Sequence, residues 1–126
     1  MRVPKFRAWV KDEKRMTDVH EMTFIDGEVY LISDITGFYA YEEFKLMQST
    51  GLKDKNGNEI YEGDIVRFTL TDGFSYVVGE DGMVKYKIGA FYILNGLTEY
   101  LISNINTKDI EVVGDIYNNL ELLEEK

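Results

Sequence analysis

The sequence predicts an all-β fold, mainly strand with minor helix, built as a meander of short strands. Apolar and polar residues alternate with a period of two, for example from Phe6 to Val10 and from Val66 to Leu70. Turn signals containing Gly separate such runs at intervals of about eight to twelve residues. This spacing is typical of a barrel or a sandwich and not of an α/β sheet.

In the N-terminal part, Asp26-Gly27 provides the clearest turn signal, because this pair can supply the positive φ angles of a tight hairpin. The predicted elements are a strand over 5–10, a polar turn over 11–14, a β run over 16–25, a returning strand over 28–32, a loop over 33–37, and an irregular strand or single helical turn over 38–44.

In the rest of the chain, Asn56-Gly57 is the strongest short-range hairpin signal that a sequence offers. The predicted elements are hairpin arms at 52–54 and 59–61, a turn at 63–64, strands over 65–70 and 74–78, a turn at 80–82, strands over 83–88 and 89–94, a short helix or edge strand over 97–102, a strand over 110–117 with a bulge at Gly114, and a helical turn over 120–126 capped by Asn118 or Asn119.

We expect one unit over residues 1–126, with an N-terminal β lobe over 1–47 and a hairpin plus barrel over 48–126. The only proline is Pro4, so no stiff linker separates domains. The chain has no Cys, which excludes disulfides, thiol catalysis and thiolate zinc sites. Its single histidine, His20, excludes a histidine-based metal site within one subunit, and we expect no cofactor.

Charge is distributed unevenly along the chain. Residues 1–16 hold six basic and two acidic residues, a net charge of +4, whereas the remainder holds eight basic and 21 acidic residues, a net charge of −13. An acidic body repels phosphate backbones, so nucleic acid is the less favoured partner. No run approaches the length of a membrane span and no signal peptide is apparent. We therefore expect a soluble cytoplasmic protein with no membrane partner.

Several patterns resemble functional sites, and each has a structural interpretation that the sequence favours. Asp54-x-Asn56-x-Asn58 opens like an EF-hand loop, but Glu59 stands where that loop needs Gly, so a hairpin is favoured. His20 has no nucleophile motif beside it, and a surface or strand-edge residue is favoured. The segment 79–82 lacks the Lys of a phosphate-binding loop.

Carboxylates and aromatic residues also have structural interpretations that the sequence favours. The acid pairs Glu42-Glu43 and Glu62 with Asp64 can serve acid–base chemistry only across a cleft, and surface acids are the default. Exposed rings can stack on bases where cations lie nearby, and only the triplets at 5–7 and 85–87 combine both. Core packing is the favoured role for most of the aromatic residues. No catalytic residue and no metal ligand is therefore assigned.

The run Gln48–Val66, which we call the hallmark segment, reads QSTGLKDKNGNEIYEGDIV. With the blocks 5–9 and 110–123, it resembles the YopX family of small phage and prophage proteins. The resemblance implies an all-β fold containing an SH3-like barrel, a phage or prophage origin and the cytoplasm of an infected bacterium. It implies no reaction, cofactor or catalytic residue.

The predicted function is that of a non-enzymatic accessory protein that binds a host or phage protein. Homo-oligomerisation through a strand edge fits the same features. The alternative is a nucleic-acid-associated regulator that uses the barrel face and the basic N-terminus. The candidate interaction surface is the polar part of the hallmark segment: Gln48, Lys53, Asp54, Glu62 and Asp64. The competing interpretation is that these residues cap turns and set the hairpin register.

Overall fold

The computed structural model describes residues 5–123 and confirms the all-β prediction. The sheets are antiparallel and curled, and the helical segments of this range are short 3₁₀ helices. The strands are β1 (Phe6–Val10), β2 (Arg15–Asp18), β3 (Glu21–Ile25), β4 (Glu28–Asp34), β5 (Gly37–Ala40), β6 (Phe44–Lys53), β7 (Glu59–Tyr61), β8 (Asp64–Thr71), β9 (Tyr76–Lys87), β10 (Ala90–Asn95), β11 (Thr98–Leu101) and β12 (Ile110–Asp115). The 3₁₀ helices are Tyr41–Glu43, Ile102–Asn104, Thr107–Asp109 and Leu120–Leu123.

The chain divides into two compact units, Met1–Ser49 and Thr50–Lys126, and β6 runs through the division. In the first unit, β1 pairs with β2 and with the start of β6, while β3, β4 and β5 form a three-stranded antiparallel sheet. The first core buries one apolar face of these strands and consists of Ala8, Val10, Ile32, Tyr39 and Phe44.

The second unit contains the five-stranded sheet β11-β10-β9-β8-β12. Its core is rich in β-branched residues, which pack well between sheet layers. The members are Ile60, Val66, Phe68, Val77, Val84, Ile93, Ile102, Ile105 and Ile110. The end of β6 and β7 form the hairpin predicted around Asn56-Gly57, with Gly57 at φ +85°. The predicted bulge near Gly114 is confirmed by a register shift between Val112 and Gly114.

The predicted turn at 80–82 is wrong, because β9 runs without interruption from Tyr76 to Lys87. Neighbouring strands hold this segment extended: Glu80 lies opposite Phe68 of β8. Gly82 is needed for close packing and not for a turn, since a Cβ at this position would lie 2.5 Å from Cγ2 of Ile93. Cross-strand pairing therefore overrides the local turn signal.

Other differences concern where strands begin and end. The predicted run over 16–25 is two strands with a break at Val19-His20, and the predicted loop over 33–37 is strand as far as Asp34. Both alternatives for 38–44 are present, as β5 followed by a 3₁₀ helix. The segment 97–102 is the edge strand β11, which leads into a 3₁₀ helix.

The predicted C-terminal turn is present as the 3₁₀ helix Leu120–Leu123, but its predicted cap has a different role. The Asn119 side chain accepts the backbone N–H of Asp115 at 3.1 Å instead of an N–H of the helix. The end of the predicted turn, residues 124–126, lies outside the described residues. Pro4 and Arg2, one of the basic residues of segment 1–16, also lie outside the described residues.

Candidate interaction surface

Asp54 closes the hallmark hairpin and attaches it to β12. Its Oδ1 accepts the backbone N–H groups of Asn56 at 2.9 Å and Asn58 at 2.8 Å. Its Oδ2 accepts the N–H of Val112 at 2.8 Å. Burial raises the pKa of this carboxyl, and the three N–H bonds outweigh burial, so the pKa lies below its ordinary value. Asp54 therefore acts as an ionised acceptor that joins two distant parts of the chain.

Asp64 stabilises the next turn in a similar way. It is 1% exposed, and its Oδ2 accepts the N–H of Tyr61 at 2.7 Å. Gly63, at φ +88°, donates its N–H to the carbonyl of Val84 at 2.8 Å and accepts the N–H of Ile116 at 2.9 Å. A positive φ at this position favours glycine, which accounts for the Gly-Asp pair.

The structure places the five residues of the predicted surface in different environments. Gln48 lies half-buried on β6, Lys53 is exposed at the end of β6, and Glu62 is half-buried in the turn before β8. Asp54 and Asp64 are buried. The hydrogen bonds of these two acids support the turn-capping interpretation for them. The proposal that the five residues contact a partner stays a prediction.

A dense polar network in the first unit was not found by sequence reasoning. The Asp34 side chain is 1% exposed. Its carboxylate accepts hydrogen bonds from the N–H and the hydroxyl of Thr36, the N–H of Gly37, the hydroxyl of Thr17 and Nη2 of Arg15. The Thr36 hydroxyl, then Thr17 and Arg15, hold the pKa of this carboxyl well below its ordinary range. The carboxylate has its oxygens fully engaged, so its role is structural.

His20 lies beside an open cleft of about 600 Å³ in the first unit, together with Glu21, Ser33 and Phe38. The histidine is exposed, and its backbone N–H donates to the carbonyl of Ser33 at 2.9 Å. The Ser33 hydroxyl donates to Oε1 of Glu21 at 3.3 Å. His20 therefore lies on the surface at a strand edge, which is the interpretation that the sequence favours.

Three exposed apolar side chains of the second unit lie on a two-stranded ribbon, Phe74 in its turn and Tyr76 and Val78 on β9. We define the β8–β9 ribbon as residues 69–80, which comprise the end of β8, the turn and the start of β9. Phe74, Tyr76 and Val78 are 98%, 83% and 55% exposed, whereas Val77 between them belongs to the core. One face of the ribbon therefore packs on the core while the other presents apolar side chains to solvent.

Both edges of the β8–β9 ribbon lack a neighbouring strand in the described part of the chain. Pairing of β12 with β8 ends where Ile110 lies opposite Phe68. Pairing of β10 with β9 ends where Leu94 lies opposite Met83. Residues 69–71 and 76–80 therefore have strand neighbours only within the ribbon. Open edges of this kind can accept another strand.

Sequence reasoning predicted a strand over 74–78, of which residues 76–78 are the start of β9 while Phe74 and Ser75 belong to the turn, and it did not predict an exposed ribbon. The available signal was Phe74-x-Tyr76-x-Val78, apolar residues at every second position. Alternation predicts that these residues share a face, but it does not show whether the core covers that face. That information depends on where β10 and β12 end.

The two cations of the triplet 85–87 are paired with the same acid. Lys85 and Lys87 both bind the carboxylate of Glu99, with Nζ to Oε distances of 2.7 and 2.6 Å, and they lower its pKa. The ring of Tyr86 packs against Phe91 at 4.9 Å between centroids. The two lysines share one carboxylate, so the triplet with Glu99 keeps a net charge of +1, and the Tyr86 ring is 45% exposed although it packs against Phe91.

Glu43 of the predicted acid pair Glu42-Glu43 is engaged in the fold. Glu43 accepts the N–H of Ala40 at 2.7 Å at the start of a 3₁₀ helix.

Among residues 5–123, no group of three or more His, Cys, Asp and Glu side chains is arranged to hold a metal ion. In the same residues, no helix has the length and apolar character needed to span a membrane.

Comparisons with known proteins found a matching family model and a similar solved structure. The family model described as YopX protein matches residues 5–124. The crystal structure of protein EF1440 from Enterococcus faecalis is similar, with a TM-score of 0.72 and 30% sequence identity, over 98% of this chain and 100% of that one. No curated protein matches the sequence significantly.

Proposed function

This chain belongs to the YopX family, and from that premise we propose that it is a non-enzymatic accessory protein of a phage or prophage that acts by binding another protein. The partner would be a host or phage protein. The observation that carries the proposal is the β8–β9 ribbon, which combines exposed apolar side chains with open strand edges. Exposed apolar groups of this kind are typical of contact sites.

Charge on the ribbon favours a protein partner over a nucleic acid. Residues 68–84 contain the acids Asp72, Glu80 and Asp81 and no Lys or Arg. Binding to a phosphate backbone depends on cations, which release counterions from the nucleic acid. The alternative function, a nucleic-acid-associated regulator, therefore rests on the basic N-terminal segment. It would be favoured by binding that weakens steeply with salt and is lost when Arg2, Lys5 and Arg7 are neutralised.

Family membership motivates three further parts of the proposal. The protein would act in the cytoplasm of a bacterial host. The five-stranded sheet of the second unit would correspond to an SH3-like barrel, a fold that many binding modules share without sharing a target. Self-association through a strand edge would make a homo-oligomer, which sedimentation over a range of protein concentrations tests directly.

The test of the proposed function is an affinity capture from infected-host lysate, with and without nuclease. The bait is compared with Phe74→Ser/Tyr76→Ser, which removes apolar surface without disturbing the core. Leu97→Ser is the matched control, because Leu97 is fully exposed at a different turn of the same unit. A protein captured after nuclease treatment, lost with the ribbon variant and kept with the control supports the proposal. Capture that disappears with nuclease supports the alternative.

A further inference from the structure

The hydrogen bonds of the β8–β9 ribbon show which backbone groups face its open edge. Asp72 donates its N–H to the carbonyl of Ser75 at 3.3 Å, and Gly79 donates its N–H to Oγ1 of Thr69 at 3.0 Å. Backbone groups of a regular strand alternate in direction, so residues 75 and 77 face β8. The register then shifts opposite Thr69, where Gly79 has a φ of +59° and directs its N–H toward β8. The N–H and C=O groups of Tyr76 and Val78 therefore point to the side where β10 has ended.

We propose that an extended, cationic segment of a partner protein adds as a strand to the open edge of β9 along Tyr76–Glu80. The inference rests on the proposed function and specifies its binding mode. The backbone groups of Tyr76 and Val78 supply the hydrogen bonds, as in other complexes formed by strand addition. The exposed side chains of the same two residues lie beside alternate side chains of the added strand.

The end of this edge provides charge complementarity for the partner. The edge leads into a cleft of about 510 Å³ whose lining includes Glu80, Asp81, Asn95 and Leu122. Arg67 also lines the cleft, but its Nε is bound to Asp81 at 2.9 Å. Glu80 is exposed and carries the charge that a Lys or Arg of the added strand would meet. Complementary charge of this kind selects between partners and speeds their association.

A second copy of this chain is a poorer occupant of the edge. Each copy carries a net charge of −9, and each ribbon brings acids without Lys or Arg. Pairing two β9 edges would bring both sets of acids together, and like charges placed close to each other are destabilising. A partner strand with cationic side chains has the opposite effect.

The test uses the full chain and a blocked peptide of alternating Lys and Val residues that is long enough to span Tyr76–Glu80. Two comparison peptides isolate the causes: alternating Glu and Val, and the Lys-Val peptide with N-methyl groups on alternate amides. We expect the Lys-Val peptide to bind about tenfold more tightly than either, because charge and backbone pairing both contribute. Amide exchange of Tyr76 and Val78 should slow on binding.

Variants of the protein test the charge contribution. Glu80→Lys should weaken binding of the Lys-Val peptide about fivefold or more, whereas Glu28→Lys, an equal charge change in the first unit, should change it less than about twofold. Equal binding of the N-methylated peptide, or protection confined to another strand, overturns the proposal. Protection of Tyr76 that grows with protein concentration alone assigns the edge to a second copy and also overturns it.

The two tests fail separately. If the lysate capture depends on Phe74 and Tyr76 but no peptide binds, the protein-binding function stands and strand addition is wrong. If neither the capture nor the peptide assay depends on the ribbon, both proposals are wrong.

Discussion

Replacing Asp54 with Asn should destabilise the second unit, because one of its carboxylate oxygens has no equivalent in the amide. The Asn oxygen can still accept the turn N–H groups of Asn56 and Asn58. The amide NH₂ would then face the N–H of Val112, which is also a donor and is now bound at 2.8 Å. A hydrogen bond to a charged acceptor contributes roughly 1.5–3 kcal/mol, so we expect a loss of about 2 kcal/mol.

Asp72 provides a matched control for this substitution. It also accepts two backbone N–H groups in a turn, from Phe74 at 2.9 Å and Ser75 at 2.7 Å, but both reach the same oxygen, Oδ1. Asn at position 72 keeps that oxygen, and the site is exposed, so Asp72→Asn should have a much smaller effect than Asp54→Asn.

The assay is urea unfolding followed by far-UV circular dichroism, combined with amide exchange of Val112. We expect Asp54→Asn to lower the free energy of unfolding and to accelerate exchange at Val112, with Asp72→Asn close to the wild type. Equal losses in the two variants would show that the bond to β12 does not stabilise the unit. Unchanged exchange at Val112 would lead to the same conclusion.

Three further predictions concern other parts of the molecule. Because the pKa of Asp34 is lowered in the folded state, its carboxylate stabilises the fold above about pH 4, and this contribution is lost as pH falls toward the folded-state pKa. Asp34→Asn should therefore flatten the acid side of the stability–pH profile measured by thermal unfolding. Gly82→Ala should cost about 2 kcal/mol in urea unfolding through overpacking against Ile93, and a neutral result would contradict the close approach. If the hallmark segment contacts a partner, the double variant Lys53→Ala/Glu62→Ala should lose capture of the partner from lysate and keep the stability of the protein. A variant that is less stable but still captures the partner would contradict that interaction surface.

Local chemistry explains why much of the fold was predictable. Asn56-Gly57 and Gly63-Asp64 specify turns because few residues adopt positive φ angles, and these glycines do so at +85° and +88°. Alternation predicted β1 and β8 because one face of each strand is apolar. The family resemblance came from the same segments, since the hallmark segment contains both turns.

The prediction from sequence failed where segments distant in the sequence determine the backbone conformation or the side-chain contacts. Glu80 to Gly82 has the composition of a turn, yet β8 and β10 hold Gly82 within an extended strand. Arg15 and Asp34 gave no signal, because they stand 19 positions apart in the sequence and only the folded strands bring them together.

The sequence by itself determined the all-β class, the family and the positions of the main turns, because these depend on alternation and on residues with special backbone preferences. Only the tertiary structure decided that Asp54 binds Val112, 58 positions away, and that Tyr76 and Val78 lie at an open edge. Both features depend on register and on where neighbouring strands end. Those are set by packing between segments that are far apart in the chain, which a local pattern does not encode.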